Sequence, residues 1–333
     1  MIPLVILGLG RIGAGNIDLA GGVPLSHLAA ALSVGGFDIQ GLVDPDEKKR
    51  RVVMERYPNV NPEIVVDSLD ALPSPPGAIM VIATPPENRL EFVTDLLDTN
   101  PGLLIMEKPL AADFEKGKKI VALCAAANTE LRVNFNRRFD RRHVEMQAMA
   151  PSKPKTMIMR YGKGLYNYAS HLIDLLVDWY GPVRAVKAIV NETDSKKING
   201  QDRNISFCCH LEAGFDAYCI GIDGLSYDQF EIDIFAEDSR LEIADGGAVI
   251  RQYAPQASKH YSGYTQLEQV GLADIAPVGG LAELYRVIQI HFDNPQKLPG
   301  CNGNQALMNL AILDAAERSF SNGEIQMIPS FER

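Results

Sequence analysis

Three short segments hold residues whose types and spacing suit chemistry. Gly8-Leu9-Gly10-Arg11-Ile12-Gly13 has the spacing GxGxxG. In that pattern the first glycine permits a tight turn, the second lets backbone approach a pyrophosphate, and the third lets helix pack closely on strand. Phosphates would then lie on a helix N-terminus, where open N–H groups and the dipole favour an anion. A glycine-rich β-α turn without a nucleotide has the same spacing, so the flanks matter. The apolar run Pro3–Gly8 comes before the turn, helical sequence follows it, and Asp44 ends the next apolar run. Asp44 lies beyond the usual interval of about 20 residues because the stretch Asn16–Pro24 lengthens the first crossover. A carboxylate there bonds ribose hydroxyls and repels a 2′-phosphate, which favours NAD; Lys48, Lys49 and Arg50 nearby leave NADP open.

Met106-Glu107-Lys108-Pro109 follows another apolar run, where active-site residues of open parallel sheets collect beyond the carboxyl ends of the strands. A lysine beside a nicotinamide holds a substrate hydroxyl and stabilises the alkoxide that develops as hydride leaves its carbon. The proline after it restricts the local backbone. On pattern alone, a solvated Glu–Lys pair is the alternative.

In Leu165–Tyr180, the residues Asn167, His171, Asp174 and Asp178 are four, three and four apart, which puts them on one face of a continuous helix. Leu172, Leu175, Leu176 and Trp179 form its apolar stripe. A His with an Asp one turn on is a workable acid/base pair, because imidazole titrates near neutral pH and a carboxylate orients it. A helix-surface His–Asp contact is the plainer reading. Arg137, Arg138, Arg141 and Arg142 form a basic cluster, for a substrate phosphate or carboxylate or else merely solvated and ion-paired. Cys208 and Cys209 point to opposite faces of an expected strand and receive no role.

The apolar pattern supplies the elements that must position these groups. Up to residue 136, the runs Pro3–Gly8, Asp38–Val43, Ala78–Ala83, Leu103–Glu107 and Leu131–Phe135 alternate with helical stretches at Pro24–Ser33, Asp46–Tyr57, Arg89–Asp98 and Asp113–Ala127. That alternation predicts βαβ units and a parallel sheet. Beyond a helix at Asp140–Met149, alternating segments at Thr156–Tyr161, Val183–Val190, Ile205–Leu211, Phe215–Ile222, Gln229–Phe235 and Ala248–Tyr253 predict a largely antiparallel sheet. Helical patterns at Tyr166–Tyr180, Leu281–Asn294 and Gln305–Ser321 complete the second half. The expected division is a cofactor domain over 1–136 and a substrate domain over 137–333.

The bulk properties bound the function. A chain of 333 residues suggests two domains, and a net charge of −10 disfavours nucleic acid or an anionic membrane as partner. Five cysteines without a CxxC fit a reducing compartment better than a disulfide scaffold, and no metal site is expected. No apolar run approaches the roughly 18 residues of a membrane span, so a cytoplasmic protein is expected.

GLGRIG with Asp44, Ile82-Ala83-Thr84-Pro85-Pro86, Glu107-Lys108-Pro109-Leu110, Asn134-Phe135-Asn136-Arg137-Arg138-Phe139 and Ser170-His171-Leu172-Ile173-Asp174 occur in the order and spacing of one family. The chain resembles the Gfo/Idh/MocA family (glucose–fructose oxidoreductase, inositol dehydrogenase, rhizopine catabolism protein) along its full length. Phe230–Ile243 is similar to a strand pair of the family's C-terminal domain, and Leu310–Gly323 to its closing helix and turn.

The resemblance implies an α/β protein: an N-terminal Rossmann domain with a doubly wound parallel sheet that carries NAD(P), then a C-terminal α+β domain with a large, mostly antiparallel, open-faced sheet. One face of that sheet would cover the nicotinamide and the other would often form subunit contacts, giving a homodimer or homotetramer. Lys108 matches the family's active-site lysine; His171 and Asp174 match its HxxD pair, the His taking the hydroxyl proton and the Asp helping hold the substrate. Thr84 and Pro85 match the loop along the cofactor, and Glu107 and Lys108 are placed with them as cofactor-binding residues. Asn167 stands where an Asp is common and is expected, with Arg138, to bind substrate; Arg89 stands where a His is common. The implied activity is hydride transfer between a nicotinamide and a secondary hydroxyl of a sugar, cyclitol or nucleotide-linked sugar. The alternatives are NAD-assisted glycoside cleavage and a non-catalytic regulator that senses sugar or NAD.

Overall fold

The computed structural model describes residues 1–15, 22–72, 76–189, 202–274 and 279–331. Residues 16–21 of the long first crossover, and Val190 at the end of one expected strand, lie outside them. The chain divides into two compact units, Met1–Asp140 with Val278–Leu307 and Arg141–Pro277 with Met308–Arg333. The sequence reading put 278–307 in the second domain; it belongs to the first unit. The reason is burial: Leu281, Leu284, Tyr285 and Ile288 of the helix Gly280–His291 share one core with Leu28, Ala31 and Phe37.

The first unit is built on parallel strands β1 (Ile2–Leu7), β2 (Phe37–Val43), β3 (Val65–Val66), β4 (Ile79–Ile82), β5 (Leu103–Glu107) and β6 (Glu130–Asn134). They run in the order β6-β5-β4-β1-β2-β3, and the short strand Cys301–Asn302 adds antiparallel to β6. All four residues of β4 are 0% exposed, as a strand covered on both faces requires. Helices α1 (His27–Val34), α2 (Glu47–Arg56), α3 (Arg89–Leu97) and α4 (Phe114–Ala126) connect the strands; Ser26, Asp46 and Asp113 cap α1, α2 and α4 by accepting from first-turn N–H groups. Because β1 has β2 on one side and β4 on the other, the winding reverses beside it. The loops after β1 and β4 flank the crevice where such sheets bind ligands.

The second unit contains α5 (Arg141–Met149), α6 (Ser170–Tyr180) and strands β7 (Thr156–Tyr161), β8 (Val183–Ala188), β9 (Phe207–Leu211), β10 (Asp216–Gly221), β11 (Phe230–Phe235), β12 (Arg240–Ala244), β13 (Val249–Ala257) and β14 (Thr265–Asp274). With the short strand Gln326–Met327 they form one sheet, ordered β14-β13-β12-β11-β7-β10-β9-β8 and then Gln326–Met327. Among the described strands of this sheet, only the β7–β10 pair is parallel. Side chains alternate between a buried face, such as Met157, Met159 and Tyr161 of β7, and a polar one. On the polar face Asp233 joins Arg160 (2.7 Å) to Arg240 (2.6 Å). Strand β14 was not anticipated, since its exposed Leu267, Val270 and Leu272 break the in–out alternation. Among the described residues no helix is long and apolar enough to cross a membrane.

Candidate active site

The glycine turn closes directly after β1. Gly8 adopts φ +93°, and a side chain there would meet the Ala83 carbonyl carbon at 2.8 Å. A Cβ on Gly13 would lie 1.8 Å from the Gly8 oxygen, whereas one on Gly10 would meet nothing within 4 Å. The turn is thus packed against protein at its first and third glycines and open at its second. The expected helix does not follow at once. Arg11–Gly15, which includes Ile12, makes a single π-helical turn, with the Ala14 and Gly15 N–H groups both donating to the Gly10 oxygen, and α1 spans His27–Val34. The long Asn16–Pro24 stretch separates the two.

Asp44, at the end of β2, is buried and ties this turn down. Its carboxylate accepts from the Leu9 N–H (2.8 Å), the Asp46 N–H (2.9 Å) and Lys49 Nζ (3.2 Å). An ionised carboxylate offers about four lone-pair sites, so acceptor capacity remains for a ribose.

The loops after β4, β5 and β6 are joined by a buried polar network. Arg89, 2% exposed, donates to the Thr84 carbonyl (Nε 3.0 Å, Nη2 2.6 Å) and through Nη1 to the carbonyls of Glu107 and Pro109. Burial lowers its pKa to about 10, against the charges of Glu107 and Glu87, so it stays cationic at neutral pH. The Glu107 carboxylate accepts from His27 Nε2 (3.0 Å) and Asn134 Nδ2 (2.6 Å), and His27 Nδ1 pairs with the Tyr285 hydroxyl (3.1 Å). Lys108, half-buried, comes directly after this anchored carboxylate, and its peptide bond to Pro109 is cis. Arg138 lies in the turn after β6, where Nη1 donates to Gln305 Oε1 (3.0 Å).

Burial by itself raises the Glu107 carboxyl, but the hydrogen bonds from His27 and Asn134, with the Arg89 charge, hold it below the usual carboxylate range. A carboxyl depressed in the folded state contributes stability above its unfolded value of about 4.3 and loses it as pH falls through the folded value. Glu107→Gln should therefore cost about 1.5–3 kcal/mol at pH 7, the range for hydrogen bonds to a charged group. The Tm gap between wild type and variant should shrink as pH drops below about 4.3. A gap that stayed constant down to pH 3 would contradict this account.

A bound dinucleotide fits these residues. The backbone at Gly10 is open, and Thr84 Oγ1, just beyond β4, and Asn134 Oδ1, on the last residue of β6, are buried without a hydrogen-bond partner. Buried polar atoms are seldom left unmatched. Those two oxygens are suited to a polar group such as a carboxamide, and Pro85 continues the same loop.

In the second unit, Asn167, His171 and Asp174 do not lie on one continuous helix. Leu165–Ala169 is a π-helical turn and α6 starts at Ser170, so the face-sharing spacing holds for His171, Asp174 and Asp178 but not for Asn167. Asp202 caps this turn: its carboxylate takes the N–H groups of Tyr166 and Asn167 (both 3.2 Å) and would clash with any side chain on Gly164. Burial raises the Asp202 carboxyl, and those N–H bonds oppose it. The start of α6 is fixed further by Asn309 Nδ2 donating to the Ser170 carbonyl (2.8 Å) and by the Tyr166 hydroxyl donating to Asp314 Oδ1 (2.9 Å). His171 is half-buried and Asp174 is 1% exposed. Trp179, expected in the apolar stripe, is only half-buried.

Spacing pointed to the glycines, Asp44, Glu107 and Lys108, all of which the first unit gathers at the carboxyl ends of its strands. It missed His27, Tyr285 and Asp202 and gave Arg89 and Asn134 no role, because each acts through a partner distant in sequence. The Asn134 and Arg89 positions lay inside segments already singled out, and that was the only available signal.

A glycine turn, a carboxylate after β2 and polar groups at a switch point define a dinucleotide-binding Rossmann domain. Residues 4–135 match the profile of the Gfo/Idh/MocA oxidoreductase family with an NAD-binding Rossmann fold. No curated protein sequence matches the chain. Solved structures extend the likeness of fold to both units. An oxidoreductase from Agrobacterium radiobacter in complex with NAD+, L-tartaric acid and magnesium is 16% identical, with 98% of each chain covered and a TM-score of 0.74. The WlbA dehydrogenase from Bordetella pertussis in complex with NADH and UDP-GlcNAcA is 19% identical, with 99% of each chain covered and a TM-score of 0.71. The super-repressor mutant of Gal80p from Saccharomyces cerevisiae is 15% identical, with 98% of each chain covered and a TM-score of 0.75.

Proposed function

We propose that this protein is an NAD(P)-dependent oxidoreductase acting on a secondary hydroxyl of a sugar, cyclitol or nucleotide-linked sugar. The observation that carries this reading is Lys108. A half-buried cation stands directly after β5, on a backbone clamped by Arg89 and Glu107, in the same sheet whose β1 and β4 ends form the cofactor crevice. A bound nicotinamide supplies the hydride acceptor. Lys108 donates a hydrogen bond to the substrate oxygen and stabilises its negative charge as the C–H bond breaks. His171 removes the hydroxyl proton, and Asp174 orients His171 or a neighbouring hydroxyl. Asn167 and Arg138 contribute to substrate binding. Asp44 disfavours a 2′-phosphate, so NAD+ should be preferred to NADP+.

The experiment is turnover by the full chain with NAD+ or NADP+ against a panel of sugars, cyclitols and nucleotide sugars. Net NADH accumulating in step with substrate consumed is the expected result. The dehydrogenase named with NADH and UDP-GlcNAcA makes nucleotide sugars a sensible first group. Substrate consumed without net NADH would instead indicate NAD-assisted glycoside cleavage. Absence of turnover with every compound, together with binding of sugar or NAD, would indicate a regulator, a role for which the Gal80p repressor offers a precedent of fold. Equal use of NADP+ would remove the argument from Asp44.

A further inference from the structure

Strand β9 puts Phe207, Cys209 and Leu211 on the fully buried face of its sheet and Cys208 and His210 on the other. Antiparallel β10 sets Asp216 opposite His210 and Tyr218 opposite Cys208. One ligand atom from each of Cys208, His210 and Asp216 falls within 4.8 Å of the others, and His210 Nδ1 is 2.7 Å from Asp216 Oδ1. We propose that Cys208, His210 and Asp216 form a binding site for a borderline-soft divalent cation, Zn2+ by its ligand chemistry.

The donor set decides the class of ion. Sulfur, imidazole nitrogen and a carboxylate oxygen suit Zn2+ or Co2+, whereas Mg2+ and Ca2+ want oxygen alone. Zinc bonds of about 2.0–2.3 Å in a tetrahedron place ligand atoms roughly 3.3–3.7 Å apart, so the cluster must close by about 1 Å. It has the freedom to do so, because the His210 and Asp216 side chains are 25% and 42% exposed while Cys208 is held in the strand. Three protein ligands leave a fourth position for water. Lys187, opposite Cys208 on β8, has its ammonium engaged by the Gly323 carbonyl.

Binding releases the Cys208 thiol proton and replaces the His210–Asp216 hydrogen bond with two metal bonds that cross-link β9 and β10. The sequence conceals the site. Cys-x-His supplies only two ligands, and the third becomes a neighbour through strand pairing rather than through spacing.

The test is titration of the metal-free full-length protein with Co2+, followed by Zn2+. One equivalent of Co2+ should bind with a thiolate-to-cobalt charge-transfer absorption, and Zn2+ should displace it. Cys208→Ser should abolish the band, and Asp216→Asn should keep it but weaken binding at least about ten-fold, or 1.4 kcal/mol. Zn2+ should raise the Tm of the wild type and leave that of Cys208→Ser unchanged. The other four cysteines are each no more than 2% exposed, so a band that survives Cys208→Ser overturns the proposal. So does Co2+ binding without a sulfur band, or no binding at micromolar metal. If Cys208→Ser does not fold, His210→Gln on the more exposed side chain reads the same loss of affinity. None of these outcomes depends on the oxidoreductase reading.

Discussion

Lys108→Met and His171→Ala should each lower turnover by about 10²–10⁴-fold, the range set by losing one charged oxyanion donor or one general base. Methionine keeps most of the length and volume of the lysine and removes only its charge. Its neighbours Glu107 and Pro109 stay clamped through their carbonyls by Arg89, so the strand end should not move. His171 is half-buried at the start of a helix whose first turn is held by Asp202 and Asn309, so alanine there should also leave the fold intact. Both variants should bind NAD+ within about two-fold of wild type, because neither side chain belongs to the glycine turn or to Asp44. Single-turnover measurement of NADH formation separates the hydride step from binding. Wild-type rates in both variants would remove the proposed chemistry while leaving the domain assignment standing.

The second large effect separates two glycines, Gly10 and Gly13, three residues apart in GxGxxG but unlike in surroundings. Gly13→Ala places a methyl group 1.8 Å from the Gly8 oxygen. The turn cannot open to receive it, because Gly8 N–H is bonded to the Val43 carbonyl (2.8 Å), Leu9 N–H to Asp44 (2.8 Å) and Ala83 N–H to the Leu7 carbonyl (2.7 Å). The cost should reach at least the upper end of ordinary overpacking, about 3 kcal/mol. At roughly 2–4 °C per kcal/mol for a domain of this size, Tm should fall by about 6–12 °C, with NAD+ binding lost as the turn distorts. Gly10→Ala meets nothing within 4 Å, so its Tm should match wild type. Its NAD+ affinity should still drop about ten-fold or more, since the methyl occupies space that the pyrophosphate needs. Calorimetry and NAD+ titration on both variants check the contrast. A stable Gly13→Ala, or a Gly10→Ala that binds NAD+ normally, would show that the turn is used differently.

Much of the fold was legible because local rules agreed with it. The strand at Leu103–Glu107 and the one at Thr156–Tyr161 were expected at those bounds, and Asp113 caps α4 as its residue type requires. The failures share a cause. Residues 278–307 read as part of the second half because sequence order suggested it, yet the apolar face of Gly280–His291 is buried in the first unit's core. Asn167 read as one more position on a helix face, but the turn ahead of α6 is π-helical and its N–H is taken by a carboxylate from residue 202. In each case a contact across many residues overrode a local preference.

By itself the sequence determined most of the elements, though not β14, the glycine turn and the carboxylate after the second strand, and it nominated Lys108, His171 and Asp174 as candidates, because these follow from residue type, apolar period and short spacing. Only the tertiary structure decided what holds them. Arg89 bridges the loops after β4 and β5, and His27, itself paired with the Tyr285 hydroxyl, reaches Glu107 from 80 residues away. It likewise brings Asp216 to Cys208 and His210 across a strand pair. Spacing along a chain fixes which side chains share an element, whereas burial and strand pairing choose which elements meet.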